Sequence, residues 1–483
     1  MSRRTSLLGT FVLSALTMAL YRFPFWIVEE FGDISLEQAW FHLTLSGTQT
    51  WATVPTALVR GTVRELVLKP TAWGLAVTLL AGLLVHRGAG RRRLVELLVG
   101  ASAVVLGGMG LMRTAQALNL QDHWTRQSDG PDWMETYHVP PKIEYLAQQT
   151  GHPPHNLVLI YVESLQNKFV QPQRPLARWR EKHTSASRFF TLPGTQWTLG
   201  GIVASQCGLP LMPTGWTGRN NFDEMQAPLR GAVCLGDVLR AAGYKTAFVG
   251  GADPDFAGKR QFLQTHGFES VYGREDIRKS TDTYQWPTDW WGVEDHTMLA
   301  YAKQVLGDLS RGPQPFFLSL LTLDTHGPDG LMSRHCPAPD TRQPLLGIFD
   351  CSLTAVEDFL AELHRQGHMQ NTVVIVMGDH PLMAPGWKSP HRQDVDHAAN
   401  DVFFAMAVPD QGTRKLAAIA HFDVYALSLQ ATLRTRDQAL ALGRTPPQRP
   451  SLVESEGLDR LAARLRSPSP GYQRLWQVPP APP

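Results

Sequence analysis

The sequence carries no surplus of either charge: 45 Lys and Arg stand against 43 Asp and Glu in 483 residues, a formal net of +2. Without a strongly basic field, no nucleic-acid partner is expected. Cysteine is scarce as well. The four that occur, Cys207, Cys234, Cys336 and Cys351, never fall in a Cys-x-x-Cys spacing, which argues against a structural zinc site. No internal repeat is visible. Charge is thinnest near the N-terminus, where the runs 7–21, 71–85 and 94–112 hold a single acidic or basic residue, Glu96. Hydrophobic residues make up 43% of the chain, and their crowding there marks a composition shift around residue 113. The first part reads as lipid-facing and the remainder as globular.

Three apolar runs argue for a retained membrane domain rather than a cleaved signal peptide, although the first two are short for an untilted hydrocarbon core of about 30 Å. Arg3 and Arg4 precede the first run, and Arg87, Arg91, Arg92 and Arg93 lie between the second and third. The positive-inside rule places both clusters in the cytoplasm. Three spans then put everything after residue 112 outside, in the periplasm of a cell with a bacterial inner membrane. The expected division is a transmembrane domain over 1–113, a juxtamembrane linker over 114–154, a catalytic domain over 155–444 and a Pro-rich tail over 445–483. Residues 21–70 are expected as an external loop with interfacial helices. An even cysteine count in an oxidising compartment suggests disulfides. Four cysteines allow three pairings, of which nearness along the chain favours Cys207 with Cys234 and Cys336 with Cys351.

From residue 156 strand and helix patterns alternate, which predicts an α/β fold with a mostly parallel central sheet flanked by helices. The apolar runs 157–162, 246–249, 316–321, 373–377 and 402–408 are the expected buried strands, and 234–242, 295–309, 351–365 and 422–433 have helical spacing. The tail is expected to be extended apart from a short helix at 458–465.

The chemistry-bearing residues stand at the ends of these elements. Pro193 and Gly194 break the chain shortly before Thr198, and small residues follow it, so Thr198 is expected to open a helix whose free amide groups could seat a phosphate. The plainer alternative is that Thr198 only caps that helix. Glu163 ends the first strand, at the crevice where open α/β sheets bind ligands. Asp379 and His380 emerge together where Gly378 stops a β-branched strand, offering one hard oxygen and one imidazole nitrogen to a divalent cation. His326 lies past another strand end, where it could donate to a phosphate oxygen or protonate a leaving group. Trp290 and Trp291 precede a helix and could wall a polyol pocket.

Together these strand ends resemble the alkaline phosphatase superfamily, in its membrane-anchored branch of lipoteichoic acid synthases and phosphoglycerol transferases. The most specific pieces are Val162-Glu163-Ser164-Leu165, Trp291-Gly292-Val293-Glu294-Asp295 and Gly378-Asp379-His380. The stretches 193–198 and 204–211, with Phe256-Ala257-Gly258-Lys259 and His266-Gly267-Phe268, look nearest to the phosphoglycerol transferase I branch, which moves phosphoglycerol from phosphatidylglycerol onto periplasmic glucans. The resemblance implies that Glu163, Thr198, Asp379 and His380 bind Mn²⁺ or Mg²⁺, that Thr198 is the nucleophile, and that His326, Trp291 and Asp295 lie near the substrate head group. It implies phosphatidylglycerol as donor, a glucan or other polyol as acceptor, and a membrane setting. A second metal, found elsewhere in the superfamily, would need a further histidine such as His391 or His397. The rival readings are a phosphoethanolamine transferase and a lipoteichoic acid synthase-like polymerase. A sulfatase is disfavoured because neither Cys207-Gly-Leu-Pro-Leu nor Cys336-Pro-Ala-Pro-Asp supplies the arginine of a Cys-x-Pro-x-Arg motif.

Overall fold

The computed structural model describes residues 3–31, 34–43, 54–85, 89–118, 120, 131–143, 153–212, 227–281, 290–327, 330–337, 344–383, 401–436 and 438–477. Three helices are long and apolar enough to cross a membrane: Ser6–Phe31, Thr56–Val85 and Arg92–Ala117, of 26, 30 and 26 residues. Each continues past its apolar run, and at 1.5 Å per residue all three exceed a hydrocarbon core of about 30 Å. The second passes through Pro70, which has no N–H to give. Just before it, Arg64–Leu68 widen into a π-helical turn in which the Lys69 N–H reaches back to the Arg64 carbonyl.

The globular part is built on one sheet of eight strands: β1 (Asn156–Val162), β2 (Thr184–Phe190), β3 (Lys245–Gly250), β4 (Ser270–Tyr272), β5 (Phe316–Leu321), β6 (Thr372–Gly378), β7 (Phe404–Ala407) and β8 (Lys415–Ala420). Their order is β4-β3-β5-β1-β6-β7-β2-β8. Every pairing is parallel except those of β7, which runs antiparallel to β6 and β2. Helices cover both faces. In β1, Leu157, Leu159 and Tyr161 enter one core and Val158, Ile160 and Val162 the other. Burial on both faces is why the strand reads as an unbroken apolar run rather than an alternation.

Five expected strands are present within a residue or two, the last shortened to Phe404–Ala407. Three others were not legible. β4 has only three residues, β8 is rich in alanine and lies at a sheet edge, and β2 carries Ser187 and Arg188 exposed in its middle. The tail differs from its expected extended form. Besides Leu458–Arg466 it forms the helices Leu452–Glu456 and Pro470–Arg474. Ser451 and Glu454 close a capping box on the first of these, a signal hidden by the surrounding prolines. Tyr472 is buried, and its hydroxyl donates to the Pro210 carbonyl at 2.8 Å. The Asp132 carboxylate of the juxtamembrane linker accepts from the Gly471 N–H at 2.8 Å. Tail and linker thus fold together against the loop that follows the Thr198 helix.

Both disulfides form as nearness along the chain favours, Cys207–Cys234 and Cys336–Cys351. A short helix after the first span, Leu36–Leu43, docks on the globular part. Phe41 is 1% exposed, with its ring 5.7 Å from Trp197, and Glu37 pairs with Arg466 at 3.3 Å.

Candidate functional site

β1 and β6 are paired in register, Val162 opposite Gly378, so the residues that follow, Glu163 and Asp379, leave the sheet side by side. Backbone geometry then turns their side chains together. Ser164 adopts a left-handed conformation, φ 57°, and its N–H donates to Asp379 Oδ1 at 2.8 Å. The Ser164 hydroxyl donates to Glu163 Oε1 at 2.7 Å. His380 Nδ1 lies 2.7 Å from the Pro381 carbonyl. A carbonyl only accepts, so Nδ1 carries the proton and Nε2 is left as the ligating nitrogen. That Nε2 lies 3.2 Å from Glu163 Oε1 and 3.5 Å from Asp379 Oδ2.

The helix carrying the threonine is Thr198–Cys207, and its N-cap is Trp197 in an extended conformation with no side-chain capping bond. Thr198 is therefore the first helical residue and does not cap the helix. Its hydroxyl lies 3.4 Å from Glu163 Oε2 and 3.3 Å from His380 Nε2. The helix is held close by Gly201, where a Cβ would lie 2.1 Å from the Asp379 carbonyl oxygen. Cys207 at its far end is tied to Cys234. Thr198 is thus carried on a helix buried from Leu199 to Cys207 and is itself half-buried, rather than on a free loop.

Glu163, Asp379 and His380 offer three ligand atoms within 4.8 Å of one another, all from buried residues. Asp379 Oδ2 is buried without a hydrogen-bond partner among the described residues. Burial, then the neighbouring Glu163 carboxylate, pushes Asp379 up to about 7. Burial would lower His380, but Asp379 and Glu163 outweigh it and raise it well above the usual imidazole range. Two buried carboxylates at this spacing need a positive charge between them. An orphaned oxygen, a second carboxylate, an imidazole nitrogen and the Thr198 hydroxyl form a mostly hard donor set that fits Mn²⁺ or Mg²⁺. His391 and His397 lie outside the described residues.

His326 lies within electrostatic reach of Glu163 and His380. Its Nδ1 lies 2.8 Å from the Gly327 carbonyl, so Nε2 keeps its lone pair. Burial lowers its pKa, with Glu163 acting in the opposite direction. Trp291 sits 5.1 Å from the His326 ring and 5.2 Å from Phe256, forming a half-buried wall. Asp295 lies behind the site rather than on its surface. It is completely buried, accepts from the Leu323 N–H at 2.6 Å and from Ser352 at 2.6 Å, and so fixes the loop that presents His326. In the same loop the Thr325 hydroxyl donates to the Glu163 carbonyl at 2.5 Å.

Three contributors escaped the sequence reading. Lys259 is buried, and Glu163, Asp253 and Asp379 oppose the lowering of its pKa by burial; its place in the quoted Phe256-Ala257-Gly258-Lys259 stretch was the available signal. His421, whose pKa burial lowers to about 3, donates through Nε2 to the Asp379 carbonyl at 2.7 Å. His42, on the helix Leu36–Leu43, lies 6.5 Å from the Trp197 ring and within electrostatic reach of His326. Nothing in the sequence marks these last two, because each reaches the site only through long-range packing.

Asp295 and Asp324 form a buried carboxyl pair. Burial raises Asp295 to about 6, and burial with the Asp295 charge raises Asp324 well above the usual carboxylate range. Both are more basic folded than unfolded, so the stability they contribute is present in the ordinary carboxylate range near pH 4 and lost as pH rises through about 6. Asp324→Asn should therefore flatten the fall in melting temperature between pH 5 and pH 7. Equal slopes for variant and parent would show that Asp324 does not titrate with the fold in this range.

A sulfatase family model matches residues 155–432. The phosphoglycerol transferase I proteins of Escherichia fergusonii and Citrobacter koseri are each 31% identical, over 75% and 74% of this chain and 47% and 46% of their own length. The chain thus spans about half the length of the curated relatives it matches. A solved lipoteichoic acid synthase from Listeria monocytogenes superposes with a TM-score of 0.50 at 16% identity, covering 63% of this chain and 78% of that one, which supports the fold alone.

Proposed function

The chain belongs to the sulfatase family, and from that premise we propose that it is a metal-dependent phosphoglycerol transferase of a bacterial inner membrane, working on the periplasmic side through a phosphothreonine intermediate. The single observation that carries the reading is Thr198 at a helix start, its hydroxyl within 3.4 Å of Glu163 and His380. Sulfatase activity by formylglycine is disfavoured, since Thr198 occupies the nucleophile position and all four cysteines are in disulfides. The relatives' name motivates phosphatidylglycerol as donor and a glucan or other polyol as acceptor.

A divalent ion held by Glu163, Asp379, His380 and Thr198 would supply Lewis-acid stabilisation of negative oxygen. The chain's own residues do the rest. The Thr198 hydroxyl points toward Glu163 Oε2, which gives its proton a direction of departure. Its oxygen attacks phosphorus, the bond to the diacylglycerol oxygen breaks, and that oxygen takes a proton from solvent water as diacylglycerol is released. Lys259, within electrostatic reach of Glu163 and Asp379, would offset phosphoryl charge with its ammonium. In the second half, His326 Nε2 takes the proton of the acceptor hydroxyl that displaces Thr198. Trp291 and Trp197 narrow the cavity against water.

Membranes containing the full chain, incubated with phosphatidylglycerol labelled in the glycerol head group and with glucan, should pass label to the glucan and release diacylglycerol. Label passing only from phosphatidylethanolamine would favour the phosphoethanolamine transferase reading. The orientation rests on the arginines at 87–93. Reporter fusions at Gly88 and Asp129 should report opposite compartments, and the same compartment from both would overturn it.

A further inference from the structure

The three spans carry an ionic cluster that the transfer chemistry does not use. Glu65, 5% exposed, lies between the spans. Its carboxylate pairs with Arg22 of the first span, with Arg64 at 3.2 Å and with Lys69. Three cations therefore meet one carboxylate, and Arg22 Nε is buried with no hydrogen-bond partner among the described residues. Arg113 of the third span lies at the same level, 4.7 Å from the Phe25 ring and 5.8 Å from the Tyr21 ring, the residues on either side of Arg22 along the first span. Gly110 sets that level by direct backbone contact: a Cβ there would lie 2.5 Å from the Leu20 carbonyl oxygen.

The depth of the cluster is legible from the sequence. Arg22 and Arg113 directly follow the uncharged ends of the runs 7–21 and 94–112, and Lys69 stands two residues before 71–85. The cluster therefore lies where hydrocarbon gives way to head groups, the depth of a phospholipid's phosphate. Its side is also fixed, because the first span leads from Arg22 past Phe31 to the helix that packs on Trp197. Cations there run against the positive-inside bias, which on the proposed topology favours the opposite ends of these helices.

Boundary Arg and Lys ordinarily extend to water and anchor a helix end. Here Arg22 turns inward to Glu65, and the π turn Arg64–Leu68 brings Arg64 and Lys69 onto the same carboxylate. A π turn of this kind frequently marks a functional position. Surplus positive charge in a medium of low dielectric attracts an anion, and at this depth the available one is a lipid phosphodiester.

We propose that Arg22, Arg64, Lys69 and Arg113, organised by Glu65, bind the phosphodiester of an anionic phospholipid at the membrane boundary, apart from the metal centre. The site stations lipid beneath the catalytic cleft, and only its role as a donor reservoir rests on the transferase reading.

The test is native mass spectrometry of the full chain, released from nanodiscs holding equal phosphatidylglycerol and phosphatidylcholine. Parent protein should retain phosphatidylglycerol about tenfold over phosphatidylcholine. Arg64→Gln with Lys69→Gln, the two more exposed cations, should lose that preference while hydrolysis of a soluble aryl phosphodiester stays unchanged. Glu65→Gln serves as a second variant that keeps all four cations and should retain the lipid. Equal retention of both lipids by the parent, or an unchanged preference in the double variant, overturns the proposal. Displacement of the lipid by inorganic phosphate at millimolar concentration would show a free-anion site and overturn the lipid assignment. Retention needs no turnover, so a chain that holds phosphatidylglycerol here yet transfers another head group would refute the donor reading and leave this site standing.

Discussion

Thr198→Ala should reduce head-group transfer by about 10⁴-fold or more while leaving the melting temperature nearly unchanged. The two halves of this expectation have separate grounds. On the proposed mechanism, loss of the attacking oxygen leaves no covalent route, whereas the helix loses no cap, since Trp197 holds that position. The Thr198 hydroxyl makes only long contacts, 3.3 and 3.4 Å, to groups that would hold the metal. Thr195→Ala should behave in the opposite way. The Thr195 hydroxyl accepts from the Leu192 N–H and donates to the Leu192 carbonyl, both at 2.9 Å, in a buried turn. Its loss should cost about 1–3 kcal/mol of stability and spare the chemistry. Brief exposure to labelled lipid without acceptor, then peptide mapping, should place the adduct on Thr198. Label on Thr195, or on Ser205 inside the helix, would refute the assignment.

Asp379→Asn should abolish most metal binding and lower transfer by about 10³-fold, more than the 10–100-fold typical of an outer-shell partner. Asp379 Oδ1 accepts from the Ser164 and His380 N–H groups, each at 2.8 Å, and an asparagine oxygen can keep both. The turn is preserved and only the orphaned Oδ2 is exchanged for a donor that cannot ligate. Removing one buried negative charge should leave the metal-free protein at least as stable. Gly201→Ala gives a contrasting loss: its new Cβ would strike the Asp379 carbonyl, so stability and metal should fall together. Elemental analysis of the purified variants separates the cases, and undiminished metal in Asp379→Asn would remove that residue from the ligand set.

His380 and Asp379 were legible because a β-branched strand ended in Gly378 and two ligating side chains followed. Thr198 was legible as a helix start because Pro193 and Gly194 broke the chain before it. His421 opens another helix, and its work is done on the Asp379 carbonyl, 42 residues away in the chain. Asp295 carried a position in a recognised stretch, yet its carboxylate turns away from the cavity to brace the 322–326 loop.

The sequence by itself determined the properties that depend on neighbours along the chain. Three apolar runs set the helices long enough to cross a membrane, continuous apolar segments set the doubly covered strands, and short separations favoured the two disulfides that form. Local periodicity and polarity suffice there because burial imposes them residue by residue. Tertiary structure alone decided the rest. The register of β1 against β6 brings Glu163 beside Asp379, the close approach at Gly201 seats Thr198 against them, and β7 reverses direction within an otherwise parallel sheet. The helix Leu36–Leu43 and the tail close around this core through Trp197, Arg466 and Tyr472. These contacts join segments far apart in the chain, and their energies come from packing and buried charge that no window of sequence contains.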